Sequence, residues 1–300
     1  MTAKKKKTKK SVKYKGYTCK LVNRWTAPEH GGAPLLTMPN IPHPMHNMAP
    51  RTLLGNATWN HMRNRCYFES GYKCEICGEK VATEFYDNGA VKHKYHDDGT
   101  LPKRALHAHE LYDIDYDKGT MTFVRAVAIC ECSHVRFIHS GRMLTLYKNG
   151  DPLMPAERVL EGLEHGFKQI YQWNKDHYGE EKLRVFYAIV DFTEDEVIGQ
   201  KVKDLIDKYE IEFYMPNGEK MFKDVPVWGD WKLIIGEKEY GSPYKNRTDW
   251  EQKMAKNNEE QIEKNKTWAA RIKTYKDASD VEITDDDMKK INDAEIPEGF

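Results

Sequence analysis

The sequence lacks any long apolar run. None approaches the roughly 18 residues that a membrane-spanning helix needs. Hydrophobic residues make up 39% of the 300-residue chain and charged residues 31%. This excludes a design built on bilayer-crossing helices and predicts a soluble protein with no membrane partner. The basic start, Met1 to Lys10, has no apolar stretch after it, so it does not read as a secretion signal, and a cytoplasmic location is expected. Net charge is also missing: 47 basic residues balance 47 acidic ones, which by itself points to no partner. Cysteine is scarce, at six residues, and no internal repeat is visible.

The distribution of charge says more than its sum. Residues 4 to 15 carry Lys4, Lys5, Lys6, Lys7, Lys9, Lys10, Lys13 and Lys15 with no acid among them. Such a cluster repels itself and buries nothing, so residues 1–20 are read as a basic disordered tail, suited to loose phosphate contact or simply to solubility. The opposite end is acidic, with Asp285, Asp286 and Asp287 in a row.

Residues 26 to 50 hold Pro28, Gly31, Gly32, Pro34, Pro39, Pro42, Pro44 and Pro50, a composition that resists helix and strand and predicts an extended, wrapping segment. A short helix is expected over Trp59 to Phe68. Leu106 to Tyr116 and Met121 to Ile129 read as strands joined by the turn Asp117-Lys118-Gly119-Thr120, with a short helix carrying Arg136 to His139 after them. Ala156 to Trp173 has Val159, Leu160, Leu163, Phe167, Ile170 and Tyr171 at helical spacing and reads as a packing helix. Further on, Leu183 to Phe192 and Trp231 to Ile235 read as strands, Asp195 to Tyr209 as a helix and Glu212 to Phe222 as a hairpin. The expected class is therefore α+β. Residues 21–180 form one domain, 181–250 a small α+β accessory region, and 251–300 a charged helix and acidic tail that could engage a protein partner.

Four of the cysteines fall in two close pairs, Cys74/Cys77 and Cys130/Cys132. In a reducing compartment such pairs favour metal over disulfide. Zinc takes four tetrahedral ligands from Cys and His, and a closed set of four makes a structural site. Cys74, Cys77 and Cys130 are the firm candidates. A regular Cys-x-x-Cys would place the next thiolate at position 133, which is Ser133, so Cys132 or His134 must close the set. Thiolate chemistry favours Cys132, although its short spacing strains the knuckle. Cys19 and Cys66 read as thiols without a role.

Two polar clusters flank the second cysteine pair: Leu106-His107-Ala108-His109-Glu110-Leu111 and Phe137-Ile138-His139-Ser140-Gly141-Arg142. Strand alternation puts His107 and His109 on one face, and Ala108 and Glu110 on the other. Arg136 and Arg142 could grip phosphates.

The ordered run Cys-x-x-Cys, Leu-His-Ala-His-Glu-Leu-Tyr, Ile-Cys-x-Cys and Phe-Ile-His-Ser-Gly-Arg resembles the HNH endonucleases of phages and bacteria. Trp59 to Gly78 and Leu163-Glu164-His165-Gly166 are similar to segments that precede and follow the site in that group. The resemblance covers roughly residues 50 to 175. It implies a ββα-metal, treble-clef-like core with a structural zinc and a catalytic Mg²⁺ or Mn²⁺, acting on double-stranded DNA in the cytoplasm, that of the host if the chain is phage-encoded. Carried onto this chain, His139 would be the helix metal ligand. His109 and Glu110 would share the roles of base and metal ligand, in an order left open. The chain departs from the pattern at the second knuckle and at the middle asparagine, for which Thr122 is the nearest candidate. The alternative is a catalytically inactive, zinc-stabilised DNA-binding or regulatory protein.

Overall fold

A computed structural model describes residues 11–79, 84–85, 91–92, 106–130, 134–151, 154–177, 182–217, 228–257, 259–260 and 263, with backbone alone at 84–85, 91–92 and 134–135. The chain divides into two compact units, Met1–Lys253 and Met254–Phe300. In the second, the described residues 254–257, 259–260 and 263 are helical. No helix among the described residues is long and apolar enough to cross a membrane.

In chain order the strands are β1 (Ser11–Tyr14), β2 (Tyr17–Val22), β3 (Arg24–Trp25), β4 (Glu84–Phe85), β5 (Val91–Lys92), β6 (Leu106–Asp115), β7 (Thr120–Cys130), β8 (Val185–Phe186), β9 (Phe213–Pro216), β10 (Lys232–Ile235) and β11 (Lys238–Gly241). The α-helices are α1 (Pro50–Leu54), α2 (Asn56–Glu69), α3 (Ser140–Lys148), α4 (Ala156–Asp176) and α5 (Gly199–Lys208). Tight 3₁₀ turns occupy Ala33–Thr37, His43–Met45 and Tyr187–Glu194, and a wide helical turn spans His134–Ile138. The class is α+β.

The centrepiece is the β6–β7 hairpin, paired from Leu106 opposite Cys130 to Asp115 opposite Thr120. Its turn is written locally. The Asp115 carboxylate accepts the N–H of Asp117 (3.2 Å) and of Lys118 (3.0 Å). Gly119 then takes a positive φ of 69°, which costs glycine nothing. Between the partners Leu111–Arg125 and Tyr112–Phe123, Val124 is passed over. This bulge reverses which face of the sheet β7 presents. Leu111, Val127 and Ile129 enter the main core, whereas Tyr112, Ile114, Met121 and Phe123 join a second cluster with Met45, Trp231 and Leu233.

Five strands run β11-β10-β7-β6-β3, and four more run β1-β2-β9-β8. Residues 11–20, read from sequence as tail, instead form β1 and most of β2, turning at Lys15-Gly16 with Cys19 buried. Alternation of Tyr17, Cys19 and Leu21 explains why: one face packs on the main core. Residues 1–10 lie outside the described residues. The stretch 181–250 supplies β8 and β9 to the sheet of β2, and β10 and β11 to the sheet of β7. Leu183 to Phe192, read as a strand, is one only at Val185–Phe186 and then coils into a 3₁₀ turn. Ile189, Val190 and Phe192 are fully buried there, and a run apolar on every side fits either geometry. Of the expected hairpin at Glu212 to Phe222, the described residues hold one strand, β9, parallel to β2 and β8. Its continuation lies outside the described residues.

Candidate metal centre and histidine site

The first cysteine pair sits on a knuckle that Glu75 fastens to β7. The Glu75 carboxylate accepts from both terminal nitrogens of Arg125 (3.1 and 2.8 Å) and from the Ala128 N–H (2.9 Å). The Glu75 N–H returns a bond to the Ala128 carbonyl at 2.8 Å. Gly78, at φ 71°, closes the turn by donating to the Cys74 carbonyl. This docking carries the knuckle to the end of β7, where Cys130 stands. The sulfurs of Cys74, Cys77 and Cys130 lie within 4.8 Å of one another, with Cys77 and Cys130 4.0 Å apart. Hydrogen bonds from Cys130 and then Cys77 hold Cys74 far below the ordinary thiol range, while the same contacts push Cys77 up. Thiols this close cannot all ionise unless a cation offsets them, and three such sulfurs are a ligand set that could hold a metal such as zinc.

Of the two residues expected to close that set, Cys132 lies outside the described residues. His134 begins the wide helical turn, and its side chain is likewise outside them. His165, on α4, is among the groups that pull the Cys130 thiol down. Cys19 and Cys66 are buried away from it, with free thiols.

A second constellation is built on the same hairpin. His107 and His109 share one face of β6, opposite Ile129 and Val127. His139 caps the start of α3, and its ring meets that of His109 edge-on at 4.9 Å between centroids. Burial drives the His109 imidazole well below its ordinary range. His139 falls to about 4, through burial first and then the charges of Arg142, His107 and Arg51. Both rings are thus neutral near pH 7, each with a lone pair.

The pleat turns Glu110 to the opposite side from His109, where it lies opposite Ala126 and burial raises its carboxyl. Adjacent in sequence, the two residues are not interchangeable in space: His109 is the one that meets His139. Both line a narrow cleft with Trp25, Met38, Pro39, Ile41, Tyr112 and Ile114. Arg51 and Arg142 are exposed at the edge of this region. Partial desolvation by the protein packed around it, and then the nearby Arg51 charge, depress the Arg142 guanidinium. Arg51, at the end of the proline-rich segment, carried no sequence signal.

Arg136 does not face outward as a phosphate ligand would. It is 6% exposed, bonded to Glu161 on α4 at 3.2 Å, and its Cβ and carbonyl abut Gly162. The helical turn that carries it is pressed against α4, which leaves its guanidinium for an internal ion pair. Lys4, Lys5, Lys6 and Lys7 lie outside the described residues.

No family model, no curated protein and no solved structure matches the chain.

Proposed function

We propose that the chain is a metal-dependent DNA endonuclease of the HNH type. Its ββα-metal core would be β6, β7 and the helical segment from His134 through α3, braced by zinc at the cysteine cluster. The observation that carries this reading is the contact between His109 and His139. Residues 30 positions apart, from a strand and a helix start, meet as neutral imidazoles, and the hairpin that carries His109 also carries Cys130 of the three-thiol cluster.

Phosphodiester hydrolysis needs positive charge against the phosphate oxygens and a base to take a proton from water. Bound Mg²⁺ or Mn²⁺ would supply the first. His139 offers a neutral nitrogen as ligand, fixed by its place at the helix start. His109 carries the neutral ring nitrogen that would take the proton. Glu110, on the other face, is left a supporting carboxylate. Arg51 and Arg142 would hold flanking phosphates, which relieves the repulsion between their like charges. Lys4 to Lys7 would add loose, salt-sensitive contact with double-stranded DNA.

The purified protein is expected to nick supercoiled plasmid in Mg²⁺ or Mn²⁺. His139→Ala should slow nicking by on the order of 100-fold or more, as loss of a group acting on the reacting atoms does. Absence of nicking in every metal, or a variant as active as wild type, defeats the catalytic assignment.

The depth of the histidine pair favours a second reading, a DNA-binding protein without catalysis: His109 is only 6% exposed. That reading gives binding weakened steeply by salt, with no cleavage.

A further inference from the structure

Arg63 is half-buried on α2, and its Nε is closed off from solvent with no hydrogen-bond acceptor among the described residues. A shielded donor left without an acceptor is costly, more so on a charged group, and an anionic ligand removes the cost. Tyr67 lies one helical turn further on, on the same face of α2. We infer that Arg63 and Tyr67 form a phosphate seat on the open edge of β6, beside His109. Its ligand is a phosphate of the nucleic-acid backbone next to the one being cleaved. The identity of that ligand rests on the nuclease reading given above; the seat itself does not.

The Tyr67 hydroxyl fixes the place. It accepts the N–H of Ala108 at 3.1 Å. Ala108 stands opposite Ala128, whose own N–H and carbonyl are both engaged by Glu75. This pair therefore exchanges no bonds across the hairpin, and the Ala108 N–H leaves β6 on the side away from β7. That side is open here. β3 pairs with β6 only at Ile114 and Asp115, so among the described residues no strand covers the edge at Ala108.

The cleft at the histidine site opens on the same edge. His109 and Glu110 leave opposite faces of β6, and a hollow that touches both runs along the margin of the strand. Trp25 of β3 lines it too, which fixes the margin as the one away from β7. The residue that Tyr67 holds is the one just before His109.

The chemistry suits a phosphate. Because the Tyr67 oxygen accepts from Ala108, its own proton is left to donate, and burial pushes the phenol up so that the proton stays on at neutral pH. A guanidinium and a hydroxyl one turn apart can grip two oxygens of one phosphate. The imidazoles of His109 and His139, held neutral, bring no charge of their own to that task.

Inorganic phosphate probes the seat without any reaction. It should raise the Tm of the full-length protein more than that of Arg63→Gln, whose remaining rise is the general effect of the salt. Arg63→Lys, which keeps the charge, should recover part of the difference. Arg63→Gln loses no internal bond at Nε, so its urea midpoint without phosphate should not fall. With duplex DNA, Arg63→Gln should lower the slope of log affinity against log salt by about one, the mark of one lost phosphate contact. Tyr67→Phe should raise KM for nicking about 10-fold, more than it lowers kcat. A Tyr67 that only braces β6 would lower the urea midpoint and leave KM and the phosphate response as they were, which removes it from the seat. Equal phosphate responses in wild type and Arg63→Gln overturn the seat, whether or not the protein nicks DNA. A response lost in Arg63→Gln, in a protein that neither binds nor cuts duplex DNA, keeps the seat and overturns its nucleic-acid ligand together with the nuclease reading.

Discussion

His43 shows how one buried side chain sets a pH limit. Its ring stacks on Trp250 at 4.2 Å, and the Trp250 indole N–H donates to His46. Burial first, then the charges of His46 and Arg247, lower His43 from 6.5 to about 4, against a smaller opposing pull from Glu251. The unfolded chain takes up this proton near pH 6.5 and the folded protein only near pH 4. The stabilisation is therefore whole above about 6.5 and drains away as pH falls toward 4. His43→Phe keeps the stacked ring but has nothing to titrate. Its urea midpoint should fall less than that of wild type between pH 6.5 and pH 4, with parallel behaviour at higher pH; equal slopes throughout would refute the assignment. None of this was legible in the sequence. His43 stands in a proline-rich segment that reads only as wrapping, and its partner lies more than 200 positions away.

Among the elements, α4 offers the sharpest test. Alanine in place of glycine inside a helix normally gains about 1 kcal/mol. At Gly166 the added methyl meets the fully buried Phe137 ring at 2.0 Å, and overpacking of this kind costs about 1–3 kcal/mol. The clash should win, so Gly166→Ala is expected to lower thermal stability, and a rise in Tm would show that Phe137 can move aside. The amphipathic pattern of α4 was plain in the sequence, because Val159, Leu163, Phe167 and Ile170 recur on one face and are all buried. So was the β6–β7 hairpin, whose turn chemistry is local. The bare glycine face of α4 was not legible, since a missing side chain leaves no mark in a hydrophobic period. The cysteine knuckle was legible from its spacing, but not the Glu75 carboxylate that docks it, a contact across some 50 residues.

The whole first unit is threaded so that its late strands complete its early sheets. Parallel pairs join β2 to β9 and β7 to β10, and Phe186, Ile189, Phe192 and Val202 share a core with Cys74 and Cys130. A chain ended near residue 180 would leave β2 and β7 with open edges and that core uncovered, so it should aggregate on size exclusion. A monomeric, cooperatively melting fragment would contradict this. These long-range pairs are what single-sequence periodicity does not encode, and they explain why 181–250 reads as an appendage. One small irregularity links the two cores. Because Val124 stands outside the ladder, the odd-numbered Met121, Phe123, Val127 and Ile129 feed two opposite interiors from what looks like one uninterrupted alternation. Pressing that valine into the ladder without shortening the strand would cross the wiring: Met121 and Phe123 would swing toward the helices, and Trp231 and Leu233 would lose their neighbours, with no apolar residue having been changed.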